Sequence, residues 1–284
     1  MALPLLRVLM RRPGPSLLGA CAHDWHYGAD FDAARAISQY AAFAELIEDS
    51  GAEILWLRDD GDDLADAMFT HDPSLMTNEG AILLRMGKAR RASEPELHAK
   101  AFEAGGVPIF GRIAAPGQVE GGDCIWVDET TLAVGRGVRT NQAGIDQLQS
   151  MLKPFGVHVH GYDLPLWQGF DACLHLMSIM SPLSEKLALV HAPLFPVAFW
   201  RLLEERGYRL LEAPPDEFHA SNGLNLNVLP TAPGALIMVD GFPRTAALMQ
   251  AAGCTVTTFE ADALCIACEG GPTCLTRPIL RGAS

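Results

Sequence analysis

The chain has 284 residues, of which 49% are hydrophobic and 19% charged, a composition typical of a globular protein. The formal net charge of −13 argues against a nucleic-acid partner, because phosphate recognition needs a basic surface, and it suits a cationic small molecule. Seven cysteines, an odd number in a chain too long to need disulfide staples, predict a reducing and therefore cytoplasmic compartment. No run of about 18 apolar residues occurs, so we expect no membrane span.

The first predicted elements are a strand, a helix and a second strand. We interpret residues 5–10 as a short strand and not as the apolar segment of a signal peptide, because Pro13 and Pro15 soon follow. Residues 32–49 carry apolar side chains at helical spacing, and Ser50-Gly51 ends the predicted helix. Residues 53–57 are the next strand.

Similar units then recur along the chain. The second has strands at 81–84 and 107–110 with a helix at 94–103 between them. The later units add a strand at the start. The third has strands at 124–127, 131–134 and 157–159 and a helix at 142–152. The fourth has strands at 174–180, 188–190 and 208–211 and a helix at 197–206. The fifth has strands at 224–229, 235–239 and 255–257 and a helix at 245–252.

Five units of about 50 residues predict strand–strand–helix–strand modules stacked around an axis, within one α/β domain over residues 1–284. A doubly wound sheet is the alternative. It would have single strands between helices and a glycine-rich phosphate loop after the first strand, and neither is evident.

A polar residue stands near the start of each module from the second onward. These residues are Asp72, Glu120 with Asp123, His175, Asn225 with Asn227, and then Cys274 after the fifth module. From Asp72 through Glu120, His175 and Asn227 to Cys274 the spacings are 48, 55, 52 and 47 residues. Equivalent positions of modules around an axis converge, so we expect these side chains to share one pocket.

Each of these residues also has an ordinary structural explanation. Asp72 before Pro73 is typical of a turn, Glu120-Gly-Gly-Asp123 of a hairpin, and His175 of a hydrogen-bonded core histidine. Cys274, between a glycine pair and a proline, could be a small buried hydrophobe. Together they are chemically coherent, because carboxylates bind a guanidinium, a thiol is a nucleophile and an imidazole transfers protons.

Five motifs follow one another along the chain. They are Phe69-Thr-His-Asp-Pro73, Glu120-Gly-Gly-Asp123, Arg139-Thr-Asn141, His175-Leu176 and Gly270-Gly-Pro-Thr-Cys274. In the order and spacing of these motifs, the chain resembles the guanidino-group-modifying superfamily of arginine deiminases, dimethylarginine dimethylaminohydrolases and amidinotransferases. That resemblance implies a five-bladed α/β propeller (pentein) of ββαβ modules.

The resemblance also implies roles for these residues. Cys274 is the nucleophile that attacks the guanidinium carbon, and His175 is the general acid and base. Glu120 belongs to the catalytic set and, like Asp72, binds the guanidinium. Arg139 holds a substrate carboxylate, and Asp123 and Asn227 complete the substrate-binding set, with no metal and no cofactor. The S-alkylthiouronium intermediate is hydrolysed to a ureido product such as citrulline, and we expect Cys274 to be thiolate mainly when substrate is bound.

Two departures narrow the resemblance. Arginine deiminases carry an acidic residue two places after the histidine, where this chain has Met177, and they contain a large helical insertion for which this chain has no room. Both favour a dimethylarginine dimethylaminohydrolase acting on methylated arginine. An arginine deiminase or dihydrolase, an amidinotransferase and a non-catalytic guanidine-binding protein stay as alternatives, and a homodimer is left open.

The remaining cysteines are assigned less specific roles. Cys265 and Cys268 form one CxxC pair, which lacks the second ligand pair of a structural zinc site. We therefore interpret this pair as part of a loop beside the catalytic one. The other cysteines are interpreted as packing residues: Cys21, Cys124, Cys173 and Cys254.

Overall fold

The computed structural model describes residues 2–59, 63–170 and 172–282. Within these ranges the strands form five sheets of three strands each. The strands are β1 (Leu5–Arg11), β2 (Glu53–Leu57), β3 (Ser74–Thr77), β4 (Gly80–Leu83), β5 (Ile109–Arg112), β6 (Cys124–Asp128), β7 (Thr131–Arg136), β8 (His158–Asp163), β9 (Met180–Ser184), β10 (Leu187–Val190), β11 (Arg209–Glu212), β12 (Leu229–Ala232), β13 (Ala235–Val239), β14 (Thr255–Phe259) and β15 (Arg277–Arg281).

Five of the α-helices connect strands within a sheet, and the others are short. The connecting helices are close to those predicted, and Gln142–Leu152 has the predicted bounds. In chain order the helices are α1 (Pro15–Leu18), α2 (Ala22–Trp25), α3 (Ala33–Asp49), α4 (Glu94–Ala104), α5 (Gln142–Leu152), α6 (Val197–Glu205), α7 (Pro215–Ala220) and α8 (Pro243–Ala251). Of the helices in the described ranges, none is both long and apolar enough to cross a membrane.

Each sheet follows one pattern. The first strand pairs antiparallel with the middle strand, and the middle strand pairs parallel with the third after a helical crossover. Parallel neighbours need such a crossover, which explains why a helix lies between the second and third strand of every module. The predicted ββαβ modules are therefore present.

The first sheet is completed by the end of the chain. β15 pairs antiparallel with β1, with Leu9 opposite Arg277, while β2 pairs parallel on the other side of β1. The sequence had shown only a strand, a helix and a strand in this module, because the missing strand lies more than 260 residues further along the chain. This pairing closes the ring of five sheets.

The first strands of the five sheets share a location. β3, β6, β9, β12 and β15 all contribute side chains to the wall of one central cavity, so these strands surround the axis. The polar residues singled out in the sequence stand just before them. Asp72 precedes β3, Glu120 and Asp123 precede β6, His175 precedes β9, Asn227 precedes β12 and Cys274 precedes β15.

Two predicted strands were partly wrong. Residues 174–180 and 224–229 were predicted as strands, but 3-10 turns occupy Leu176–Ser178 and Leu224–Leu226, and the strands begin at Met180 and Leu229. At the first site, the backbone N–H of His175 donates to Ser178 Oγ at 3.1 Å, and this local bond competes with strand pairing. His175 and Asn227 therefore stand on turns beside the axis.

Candidate active site

The loop that carries Cys274 packs on the loop that carries Asn227. Asn227 Nδ2 lies 3.1 Å from Cys274 Sγ, and Asn227 Oδ1 accepts the backbone N–H of Thr273 at 2.8 Å. A Cβ on Gly271 would lie 2.4 Å from Asn227 Cγ, so only glycine allows this approach. The neighbouring Asn225 instead donates to Thr245 of α8 at 3.0 Å. Of the two asparagines in this module, Asn227 is thus the one that contacts the sulfur.

Glu120 and His175 form the second pair in the site. Glu120 is fully buried, and its Oε2 lies 3.0 Å from His175 Nε2. The other carboxylate oxygen accepts the backbone N–H groups of Gly87 at 2.9 Å and Lys88 at 3.3 Å. These bonds fix the carboxylate, so it can orient the imidazole and stabilise its protonated form.

Asp72 is held by a buried arginine. Arg91 Nη1 donates to Asp72 Oδ2 at 2.7 Å, and the backbone N–H of Gly122 donates to Oδ1 at 2.9 Å. Arg91 also binds Glu94 at 2.8 Å and the carbonyl of Phe69 at 2.9 Å. Asp72 is 6% exposed, so its carboxylate is fixed by neighbours on one side and keeps lone pairs for a cationic substrate.

The glycine pair after Glu120 allows the loops to meet. A Cβ on Gly121 would lie 2.2 Å from the carbonyl oxygen of His71, and one on Gly122 would lie 2.8 Å from His175 Nδ1 and 3.1 Å from Asp72 Oδ1. Any other residue there would push the histidine and the carboxylate away. The hairpin interpretation of this motif is wrong, because residues 121–123 form a 3-10 turn that leads into β6.

Asp123 lies behind these residues. Its two oxygens accept Thr140 Oγ1 at 2.6 Å and the backbone N–H of Leu176 at 3.0 Å, and the residue is 1% exposed. These bonds connect it to the turn that carries His175. Its predicted substrate-binding role stays a prediction, and the contacts assign it a positioning role for that turn.

Arg139 also reaches the site. Its Nη1 donates to Glu120 Oε2 at 3.2 Å, and its side chain is 22% exposed. The remaining guanidinium N–H groups are therefore able to face a ligand, as a carboxylate-binding role requires. The next two residues of this motif are structural, since Thr140 binds Asp123 and Asn141 Oδ1 caps α5 by accepting the N–H of Gly144 at 2.9 Å.

Cys173 lies closer to the site than its sequence context predicts. It was interpreted as a packing residue, but it is only partly buried, and its sulfur groups with ligand atoms of Glu120 and His175 within 4.8 Å of one another. In the part of the chain that the structure describes, this is the one group of such side chains close enough to share a metal ion. Its position two residues before His175 was the available signal. Cys21 is exposed, so the packing interpretation is also wrong there.

Two further positively charged side chains were missed because they lie far from the motifs. Arg91 pairs with Asp72 as described, and Lys88 Nζ lies 2.6 Å from Asp66 Oδ2. The indole of Trp25 in α2 covers Lys88 at 5.4 Å. Helix α2 therefore lies next to the loop of Gly87 and Lys88 that binds Glu120. The exposed His23 is also part of α2.

Burial and charge act in opposite directions on the titrating groups. Burial and the nearby Asp72 raise the pKa of Cys274, although Asn227 and His175 partly offset this. Burial alone would lower the pKa of His175, but the charges of Cys173 and Asp123 and the bond to Glu120 raise it well above its usual value. The free site thus favours a neutral thiol beside a protonated imidazole.

Burial and neighbouring charges also act in opposite directions on the pKa values of the carboxyl groups. Burial would raise the pKa of Asp72, but the charge of Arg91 lowers it below its usual value. Burial would also raise the pKa of Glu120, but the hydrogen bond with His175 and the charge of Arg139 lower it. Burial raises the pKa of Asp123 to about 6. The two carboxylates that approach the site are therefore ionised near neutral pH.

Comparison with known proteins agrees with this geometry. A model of the arginine deiminase family matches residues 61–192. The dimethylarginine dimethylaminohydrolase of Streptomyces coelicolor is 31% identical over 211 residues, which cover 72% of this chain and 78% of that protein. The chain belongs to the guanidino-group-modifying superfamily. The corresponding enzyme of Pseudomonas aeruginosa is 27% identical over 238 residues, covering 84% of this chain and 85% of that protein.

The fold of the superfamily is also confirmed. A solved structure of the Pseudomonas aeruginosa enzyme, a cysteine-to-serine variant in complex with citrulline, has a TM-score of 0.78 and 24% identity, and covers 98% of this chain and 100% of that one. The five sheets therefore form the predicted five-bladed propeller. As a member of this superfamily, the protein is an enzyme that hydrolyses carbon–nitrogen bonds of amidines.

Proposed function

We propose that the protein hydrolyses methylated arginine to citrulline and an alkylamine through a covalent intermediate on Cys274. The observation that carries this proposal is the convergence of five loops. They hold an amide at 3.1 Å from the Cys274 sulfur and a buried carboxylate at 3.0 Å from the His175 imidazole, with the ionised Asp72 near by. A thiol, an imidazole and fixed carboxylates are the groups that guanidinium hydrolysis needs.

In the proposed first step, Asp72 and Glu120 bind the guanidinium and the Cys274 thiolate attacks its central carbon. The carbon–nitrogen bond to the alkylamine breaks, and protonated His175 gives its proton to that nitrogen as it leaves. In the second step, neutral His175 takes a proton from water, the hydroxide adds to the thiouronium carbon, and the carbon–sulfur bond breaks. The second proton of the water, carried by the hydroxyl of the tetrahedral intermediate, passes to the leaving sulfur, so the products are citrulline and the neutral Cys274 thiol, with His175 protonated again; that thiol loses its proton to solvent when the next substrate binds.

The raised pKa of Cys274 supports substrate-assisted ionisation. A guanidinium bound between Asp72 and Glu120 brings a positive charge near the sulfur and offsets the carboxylate charge that raises the thiol pKa. The nucleophile then forms where the electrophile is already bound. Arg139, with N–H groups left beyond its bond to Glu120, is the proposed partner of the substrate carboxylate.

Arginine deiminase is the second candidate. The match of residues 61–192 to that family favours it, because this range contains Asp72, Glu120, Arg139 and His175. Met177, where arginine deiminases carry an acid, and the identity to two dimethylarginine dimethylaminohydrolases favour the first candidate. Transfer of the amidino group to an amine would use the same thiouronium and is the third.

Product analysis separates these candidates. The protein is incubated with asymmetric dimethylarginine, monomethylarginine, arginine and agmatine, each with and without an amine acceptor, and products are measured by mass spectrometry. Citrulline with dimethylamine is the expected result. Citrulline from arginine alone would replace the proposal by the deiminase, and a new guanidino product only with the acceptor would replace it by the transferase.

The Cys274→Ala variant is the matched control for this panel. It should make no product from any compound, and the Cys254→Ala variant, at a buried cysteine immediately before β14, should keep full turnover. Turnover by Cys274→Ala would contradict covalent catalysis at this residue.

A further inference from the structure

The central cavity lies on the propeller axis behind the proposed catalytic residues. Its volume is about 650 Å³, and all five first strands contribute to its wall. His71 and Thr273, which neighbour Asp72 and Cys274 in the chain, form part of its inner end, but the proposed catalytic side chains do not line it. The outer end opens among exposed residues that include Asn78, Glu79 and Glu129.

A buried arginine reaches this cavity. Arg277, the first residue of β15, is 5% exposed and lines the cavity wall. Its Nη2 donates to the carbonyl oxygen of His71, and its buried Nε has no hydrogen-bond partner. Among the residues that the structure describes, no carboxylate lies within the 4.0 Å of an ion pair with it, and burial lowers its pKa to about 10.

The other buried arginines differ from Arg277 in this respect. Arg11 is 1% exposed and lies 3.2 Å from Asp59, and Arg91 is 3% exposed and lies 2.7 Å from Asp72. A buried guanidinium without a counter-charge is costly, because desolvation is not repaid by an ion pair. Of these three buried arginines, Arg277 is therefore the one that forms no ion pair with a carboxylate among the described residues.

The cavity wall indicates what the missing partner is. Most of the lining is apolar and includes Leu75, Ile125, Met177, Val228, Leu229 and Phe155. We propose that this cavity binds an amphipathic monocarboxylate, with the carboxylate on Arg277 and the apolar body along the first strands. Apart from Arg277, the charged residues of the wall are Glu79, Glu129 and Arg281, which together carry a net negative charge. A polyanion such as a nucleotide therefore gains nothing there, whereas a single carboxylate needs only Arg277.

The ligand would lie close to the nucleophile without touching it. Arg277 donates to the carbonyl of His71, and the backbone N–H of His71 donates to the carbonyl of Cys274 at 3.1 Å. The site is separate from the proposed reaction, so its occupancy can be measured with no guanidino compound present.

Isothermal titration calorimetry with octanoate and its neutral analogue 1-octanol tests the proposal. The wild-type protein should bind one octanoate, at least tenfold more tightly than octanol, and Arg277→Met should abolish this preference. Arg139→Met is the matched control, because Arg139 is the cationic group proposed for a carboxylate in the catalytic pocket, and this variant should bind octanoate like the wild type.

Three outcomes would overturn the proposal: no octanoate binding by the wild type, unchanged preference in Arg277→Met, or loss of binding in Arg139→Met instead. Arg277→Met removes an uncompensated buried charge, so its melting temperature should be no lower than that of the wild type. Thr77→Trp, at a half-buried position of the wall, gives a second test that keeps Arg277, and it should weaken octanoate and octanol alike.

Discussion

Replacing Arg91 by Met should strongly destabilise the protein and displace Asp72, the carboxylate proposed to bind the substrate. Arg91 is 3% exposed and bonds to Asp72 at 2.7 Å, to Glu94 at 2.8 Å and to the carbonyl of Phe69 at 2.9 Å. Methionine fills much of the same volume but donates no hydrogen bond. The variant therefore leaves two carboxylates, which are 6% and 1% exposed, without their shared cation.

The magnitude follows from the burial of the pair. Removing one partner of a buried ion pair costs about 3–5 kcal/mol, because the other charge stays buried and uncompensated. A free-energy change of 1 kcal/mol shifts the melting temperature of a chain this long by about 2–4 °C. We therefore expect the melting temperature of Arg91→Met to fall by about 6–20 °C.

Arg112→Met is the matched control. Arg112 also pairs with a glutamate, Glu96, but the two side chains are 50% and 57% exposed. An exposed pair contributes about 0–1 kcal/mol, so the control should melt within a few degrees of the wild type. Thermal unfolding followed by circular dichroism measures both variants at pH 7.

A double variant makes the prediction stricter. Burial raises the pKa of Glu94 to about 7 even beside Arg91, so without Arg91 this carboxyl group must be either charged and unpaired or protonated at a cost. Adding Glu94→Gln to Arg91→Met removes that cost, so part of the lost stability should return. If Arg91→Met melts within about 3 °C of Arg112→Met, or if the second substitution recovers nothing, the ion pair does not hold Asp72 as we argue.

Three shorter predictions concern the reacting groups. Asn227→Ala should slow alkylation of Cys274 by iodoacetamide about 10- to 100-fold, because a hydrogen bond to a charged group is worth about 1.5–3 kcal/mol. Asn225→Ala, which removes the amide directed to α8, should leave the alkylation rate unchanged. Intact-mass kinetics measure both variants, and equal rates in the wild type and both variants would contradict the contact between Asn227 and Cys274. Since burial raises the pKa of Cys274, the rate of its alkylation should rise with pH mainly above the usual thiol pKa of about 8.5. A bound guanidinium should shift this pH profile to lower pH, and an unshifted profile would exclude substrate-assisted ionisation. His175→Ala should lose turnover and retain a covalent adduct on Cys274 in the mass spectrum, whereas full activity would refute the general-acid role.

Much of the fold could be predicted because its elements are local. The helix at residues 142–152 shows in the sequence because Asn141 caps it and apolar side chains such as Ile145 and Leu148 repeat at helical spacing. The strand at residues 235–239 shows as a short apolar run, and both have their predicted bounds. What one module contains can therefore be read from about 50 neighbouring residues.

The errors have a common cause in contacts between distant residues. β15 is five residues long and is half-exposed along much of its length, so its apolar pattern is weak, and only its pairing with β1 makes it a strand. The segments of His175 and Asn227 are apolar enough to resemble strands. They form turns because their polar groups bond to Ser178 and to the loop of Cys274.

The sequence predicted which residues form the candidate site, but not which side chains contact them. Spacing at module starts selected Asp72, Glu120, His175 and Cys274, and the structure sets them all in loops beside the axis. Their partners, such as Arg91 and Cys173, carry no repeat signal, because each modifies one residue and has no equivalent in the other modules. A repeat predicts where loops meet, whereas the charge balance within the site depends on side chains that only the folded chain brings together.

That charge balance explains how the partly buried thiol of Cys274 could remain unreactive until the proposed substrate arrives. Arg91 and Arg139 neutralise part of the charge on Asp72 and Glu120, yet Asp72 still raises the pKa of Cys274 in the free protein. In the proposed reaction, a bound guanidinium adds the missing positive charge and is also the electrophile that the sulfur attacks. A neutral urea product, such as citrulline, brings no such charge, so the thiol pKa would rise again after the reaction and favour release of the product over attack on it.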